Sequence, residues 1–236
     1  FARLYGEKNR IAYDGTSKAM LHIGKDDWPT PLPMVKKGNK WYFDGKAARE
    51  EILNRRIGRN ELAVIEVMRE YVDAQREYAE KDWDDDGVLE YAQKIVSTKG
   101  QQDGLFWQPK EGGGASPFGP LVARAAQEGY TTKTKKASPA PFHGYIYKIL
   151  KGQGRHATGG AYSYVVKDNM ILGFGLLAYP ARYGSSGIMT FVVNQEGKVY
   201  QKNLGKETAR QAPKIGLFDP DETWKVVEDL QGKPEK

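Results

Sequence analysis

Between residues 8 and 43 apolar and polar positions alternate over short runs that turn residues interrupt. Asn9 to Tyr13 and Lys18 to Ile23 read as strands around the Asp14-Gly15 turn. Met34 to Lys36 and Lys40 to Phe43 read as a hairpin closed by Lys37-Gly38-Asn39. Trp28-Pro29-Thr30-Pro31-Leu32-Pro33 is excluded from an inner strand, because three prolines lack the N–H donor a ladder needs. This stretch predicts a small antiparallel meander.

The period then changes. Asp44 is placed to cap a helix that runs to about Ile57, where Gly58 interrupts it, and Asn60 caps a second helix from Glu61 to about Lys81. Val64, Met68, Tyr71, Ala74 and Tyr78 fall on one face, widened by Ile65, Val67 and Val72. Val88 to Val96 adds one or two helical turns in this reading. Residues 100 to 141 are loop-rich, with a flexible stretch from Glu111 to Pro117, a short helix from Leu121 to Gln127 and a basic link from Lys133 to Pro141.

Beyond residue 143 the period is two. Gly144 to Leu150, Ala161 to Val166, the almost wholly apolar Met170 to Ala178, and the hairpin Gly187 to Asn194 and Lys198 to Asn203 read as strands, with Met170 to Ala178 central. The sum is an α+β fold: a long helix packed on an antiparallel sheet of four or five strands, pilin-like, preceded by a small antiparallel meander. The expected domains are 1–45, the remnant of a small antiparallel unit, and 46–236.

Composition narrows the function. The chain has 236 residues, a net charge of +6 and no cysteine, so disulfides, thiol catalysis and cysteine-ligated zinc are excluded. Its basic residues are scattered apart from Arg55-Arg56 and Lys133, Lys135 and Lys136, which argues against a nucleic-acid partner. No apolar run reaches the roughly 18 residues of a membrane span. Phe1 opens without an initiator methionine in what reads as strand sequence, so a trimmed precursor whose signal peptide has been removed is expected.

One segment argues for a specific chemistry. Asp82-Trp83-Asp84-Asp85-Asp86-Gly87-Val88-Leu89-Glu90 reproduces the first half of a calcium loop, in which aspartates at positions 1, 3 and 5 turn inward and a glycine at 6 allows the bend. Position 12, which normally closes the shell, is Gln93, so Glu90 at position 9 is taken as the closing ligand. The expected metal site is Asp82, Asp84, Asp86 and Glu90, with calcium as the ion. The five carboxylates in nine residues repel one another without a cation.

Other chemistry is weaker. His22, His143 and His156 have no metal-ligand spacing, and neither Gly112-Gly113-Gly114 nor Gly152 to Gly160 has the context of a phosphate loop. Tyr183-Gly184-Ser185-Ser186-Gly187 reads as a tight connection between strands rather than a nucleophile elbow. The leading reading is an exported, non-enzymatic structural or interaction protein, with protein partners or self-association, whose aspartate loop calcium stabilises. The alternatives are a periplasmic hydrolase using His143, or a glycan- or peptide-binding module using exposed aromatic side chains.

Several stretches carry a resemblance. Lys40-Trp41-Tyr42-Phe43-Asp44, the run from Glu51 to Ala63, Tyr71 to Ala79, Asp86 to Ala92 and Gly104-Leu105-Phe106-Trp107 resemble a bacterial family of unknown function, DUF2950. So do His143-Gly144-Tyr145, Gly159 to Tyr162, Ala178 to Ala181, Tyr183-Gly184 and Met189-Thr190-Phe191. The resemblance implies an exported protein of Gram-negative bacteria, periplasmic or at the cell surface, with an N-terminal signal. It implies no activity. The helix, irregular loop and sheet are also similar to the globular domains of type II secretion pseudopilins, which hold calcium in a loop, although the hydrophobic start of a prepilin is absent.

Overall fold

The computed structural model describes residues 1–108, 115–121 and 141–228. The flexible stretch predicted from Glu111 is outside these residues up to Gly114. Of the helix predicted from Leu121 only Leu121 is described, and it is helical. The basic link is outside them up to Ala140. The chain divides into two compact units, Phe1–Gly58 and Arg59–Lys236.

In the first unit a short helix α1 (Ala2–Glu7) precedes strands β1 (Asn9–Asp14), β2 (Lys18–Ile23), β3 (Trp28–Pro29), β4 (Met34–Lys37) and β5 (Lys40–Phe43). The order is β1-β2-β4-β5, antiparallel throughout, with β3 paired to the end of β2. The meander is as expected, but its start is not: residues 2–7 are helical rather than strand. The proline-rich run is confined to the two-residue β3, as its missing donors require. Few large side chains are buried here. Within its strands only Ala19 and Ile23 are buried, and every residue of β5 is exposed.

Helix α2 (Gly45–Tyr78) is continuous. Asp44 caps it as predicted, its Oδ1 accepting the amides of Lys46 and Ala47 at 3.0 Å. Gly58 does not interrupt it. A mid-helix glycine costs only about 1 kcal/mol, which a helix anchored on both sides of that point can absorb. Asn60 consequently caps nothing and serves elsewhere.

In the second unit the five-stranded antiparallel sheet has the order β14-β13-β12-β11-β6, with β6 Tyr145–Leu150, β11 Gly175–Pro180, β12 Met189–Asn194, β13 Tyr200–Asn203 and β14 Lys225–Val226. Two-residue pairs flank it: β7 (Gly152–Gln153) with β8 (Tyr162–Ser163), and β9 (Val165–Val166) with β10 (Asn169–Met170). A short helix α3 (Thr208–Gln211) lies between β13 and β14. The apolar face of α2 packs on this sheet. Val64, Met68, Tyr71 and Tyr78 are buried against Phe174, Leu176, Ala178, Phe191 and Val193, with Tyr71 edge-on to Phe174 at 5.6 Å.

Three predicted elements of this unit are corrected. Ala161 to Val166 is not one strand: it divides into β8 and β9, which pair with β7 and β10 in two different sheets. Met170 to Ala178 is not one strand: Gly173 has φ 146°, a conformation essentially reserved for glycine, and it separates β10 from β11. Val88 to Val96 is not helical. It runs as irregular backbone, pairing Tyr91 N with Met170 O at 2.8 Å and Val96 with Phe106.

Candidate metal site

The aspartate loop follows directly on α2, and its geometry comes from alternation. Asp82, Asp84 and Asp86 point to one side, while Trp83 between them turns inward. The Trp83 ring stacks on Tyr78 at 5.6 Å and meets Trp107 at 4.8 Å, and its Nε1 donates to Tyr78 O at 2.8 Å. This aromatic anchor fixes the loop to the helix end. Asp85 at φ 60° and Gly87 at φ 86° supply the bend.

The carboxylates converge. Asp82, Asp84 and Asp86 each offer an oxygen within 4.8 Å of the others. Calcium–oxygen distances of about 2.3–2.6 Å place any two ligands within about 5 Å of each other, so the group fits such an ion. Asp82 Oδ1 accepts the amides of Asp84 (3.3 Å) and Asp85 (2.9 Å), and its Oδ2 that of Gly87 (2.8 Å). These bonds, that of Gly87 first, hold its carboxyl below the ordinary range. Asp84 is shifted the other way, by loss of solvent and then by the charge of Asp86. Asp86 Oδ1 takes Val88 N and its Oδ2 takes Asn169 Nδ2, both at 2.8 Å.

Glu90 is half-buried and stands apart from the close group of three. Its Oε2 accepts Met170 N at 3.0 Å, and its pKa is raised by burial first and then by the charges of Asp84 and Asp86. Gln93 occupies the position a closing carboxylate would take. It instead donates Nε2 to Asp168 O and accepts Lys151 Nζ at 2.8 Å on Oε1. Both residues thus tie the loop to the β9–β10 turn, where Lys167 and Asp168 have φ 49° and 74°.

The two ends of the loop are joined by a residue that sequence reasoning missed. Gln75, fully buried on α2, donates to Ala92 O at 2.8 Å and accepts Ala92 N at 2.8 Å, as a strand would. It also donates to Tyr71 Oη at 2.9 Å, and Tyr71 donates on to Gly175 O at 3.0 Å. A polar residue on the apolar face of a helix was the available signal. Beside the loop lies a cleft of about 1320 Å³ reaching Trp83, Asp84, Glu90, Lys94, Asp103 and Phe106.

The remaining candidates fall apart in space or take structural roles. His22 Nδ1 lies 2.8 Å from Asp27 O in the first unit, and His156 Nδ1 lies 3.1 Å from Asp219 Oδ1. His143 and Gly144, at φ 48° and 75°, are the central residues of a tight turn closed by the paired amides and carbonyls of Phe142 and Tyr145 at 2.9 Å. Most aromatic residues of the second unit are core: Tyr145, Tyr164 and Phe174 are fully buried. Trp28, Trp41, Tyr42 and Phe43 of the first unit are exposed.

Segments that carried the family resemblance meet at a latch. Glu61 Oε1 accepts the amides of Ile188 (2.8 Å) and Met189 (2.9 Å) and the hydroxyl of Tyr145 (3.4 Å), which is also 2.9 Å from Met189 O. Asn60 Nδ2 donates to Ser186 O at 2.8 Å. Burial, and then the charge of Glu61, raise the Tyr145 pKa far above that of a free tyrosine, so it stays a hydroxyl donor. This arrangement fixes the backbone of residues 186–189 against α2.

Among the described residues no helix is long and apolar enough to cross a membrane. Neither a curated protein nor a solved structure matches the chain, and the pseudopilin likeness finds no support. The family model described as "Protein of unknown function (DUF2950)" matches residues 1–227, and the chain belongs to that family.

Proposed function

We propose that residues 82–90 are a calcium clip in an exported, non-enzymatic structural or interaction protein. The observation that carries this reading is the convergence of Asp82, Asp84 and Asp86 in a loop whose ends are already held by Gln75 and Ala92. Glu90 would complete the shell by turning its second oxygen toward the aspartates. The ion would offset the repulsion among these carboxylates and lock the helix end onto the β9–β10 turn. Loops of this kind outside the cell bind calcium with dissociation constants of about 10⁻⁴–10⁻³ M. That range suits a periplasmic or surface location.

Thermal melting tests the proposal. Millimolar calcium is about one to a hundred times this dissociation constant, so it adds about 0.4–2.7 kcal/mol, a rise in Tm of about 1–8 °C for a unit of this size. Replacing EDTA by millimolar calcium should give that rise in the parent and none in an Asp84→Asn, Asp86→Asn variant. An unchanged midpoint in the parent would remove the ion from this account. The cleft beside the loop favours a second reading, a glycan- or peptide-binding module in which the clip shapes one wall.

A further inference from the structure

We infer that one end of the N-terminal sheet is a docking tip for an anionic phospholipid surface. This tip belongs to the first unit, whereas the aspartate loop and the latch belong to the second. The strand directions place the β1–β2 turn (residues 15–17) and the β4–β5 turn (residues 38–39) at the same end of the sheet. The amide of Lys36 donates to Ser17 O at 2.8 Å and joins them.

Two kinds of side chain crowd this end. Lys18, Lys36, Lys37 and Lys40 are all exposed, and among the described residues none is in an ion pair. The register puts Ile11, Tyr13, Trp41 and Phe43 on one face, together with Lys36. The Tyr13 and Trp41 rings meet with centroids 5.7 Å apart, tilted by 59°, on the face that also carries the small, buried Ala19. Tyr13 remains 65% exposed, Phe43 64% and Ile11 48%. Tyr42 projects from the opposite face beside Lys37 and Lys40.

Exposed apolar side chains ringed by cations require a partner that is itself apolar below and anionic above. A bilayer of anionic lipid is that partner. Tryptophan and tyrosine settle at the headgroup level, and lysine stems reach past apolar surface to set their ammonium groups among phosphates. Nucleic acid fits less well. The tip cations are all lysine, whereas nucleic-acid readers rely on the planar fork of arginine, and Ile11 and Phe43 offer a base no hydrogen bond. Charge agrees: the first unit has twelve lysines and arginines against seven acidic residues, so it carries +5 of the net +6.

The test is co-sedimentation of the full chain with sucrose-loaded vesicles in EDTA, where the calcium clip plays no part. Vesicles with about one-third phosphatidylglycerol should retain the chain, pure phosphatidylcholine vesicles should not, and raising the salt should release it. Lys36→Glu combined with Lys37→Glu should reduce binding at least tenfold. Trp41→Ala with Phe43→Ser should also weaken it while leaving the circular dichroism unchanged, since all of β5 is exposed. Equal retention on both vesicle types, or retention of both variants at the parent level, would overturn the inference. So would capture by a single-stranded oligonucleotide without capture by the vesicles. None of these outcomes bears on calcium binding.

Discussion

Replacing Gln75 with alanine is expected to destabilise the second unit by about 3–5 kcal/mol, the largest effect of any single substitution considered. Gln75 is fully buried, and its amide satisfies both the N–H and the C=O of Ala92. Truncation strands both backbone groups away from water, at about 1–3 kcal/mol each, and leaves a cavity against Tyr71. Gln75→Leu fills the space but keeps the stranded groups, so it should recover only the cavity part. Urea unfolding with an unchanged slope measures both. A loss under 1 kcal/mol for Gln75→Ala would mean that Ala92 finds other partners and that the loop is not closed at this point. Because Ala92 follows the aspartate loop directly, the variant should also weaken calcium binding without touching a ligand.

Gly187→Ala should cost about 3 kcal/mol. A Cβ at this position overlaps the hydroxyl and ring edge of Tyr145. The Tyr145 ring has nowhere to go: it is fully buried, packs on Phe191 at 5.9 Å and holds Met189 O through its hydroxyl. Overpacking of this kind typically costs about 1–3 kcal/mol, and loss of the latch bond places it at the upper end. Gly58→Ala is the matching control, since a Cβ there meets open space inside α2. It should stabilise by about 0.5–1 kcal/mol. Equal effects for the two substitutions would show that the Tyr145 contact is not the cause.

What could be read from the chain alone followed the range of the interaction. The apolar face of α2 was legible because residues three and four apart share a face, and Val64, Met68, Tyr71 and Tyr78 are buried as that spacing requires. The Asp82-x-Asp84-x-Asp86-Gly87 spacing was legible for the same reason, and these three carboxylates do converge. Continuity was misread wherever glycine decided it. Gly58 predicts a break that the helix overrides, whereas Gly173, inside an apolar run, predicts none although its φ of 146° imposes one. Val88, Leu89, Ala92 and Ile95 mimic helical spacing. They lie instead in a segment whose amides and carbonyls go to Gln75, Met170 and Phe106. Those partners are 17 or more residues away, except Phe106, so no local pattern announces them. The use of Gln93 and Glu90 as ties to the 168–170 turn was invisible on the same ground.

The most direct test of the central claim is an equilibrium titration of the full chain with calcium at neutral pH and near-physiological salt. Binding of one ion per chain, with a dissociation constant of about 10⁻⁴–10⁻³ M and its loss in the Asp84→Asn, Asp86→Asn variant, is the expected result. No heat and no binding isotherm up to several millimolar calcium, in a chain shown to be folded, would contradict it.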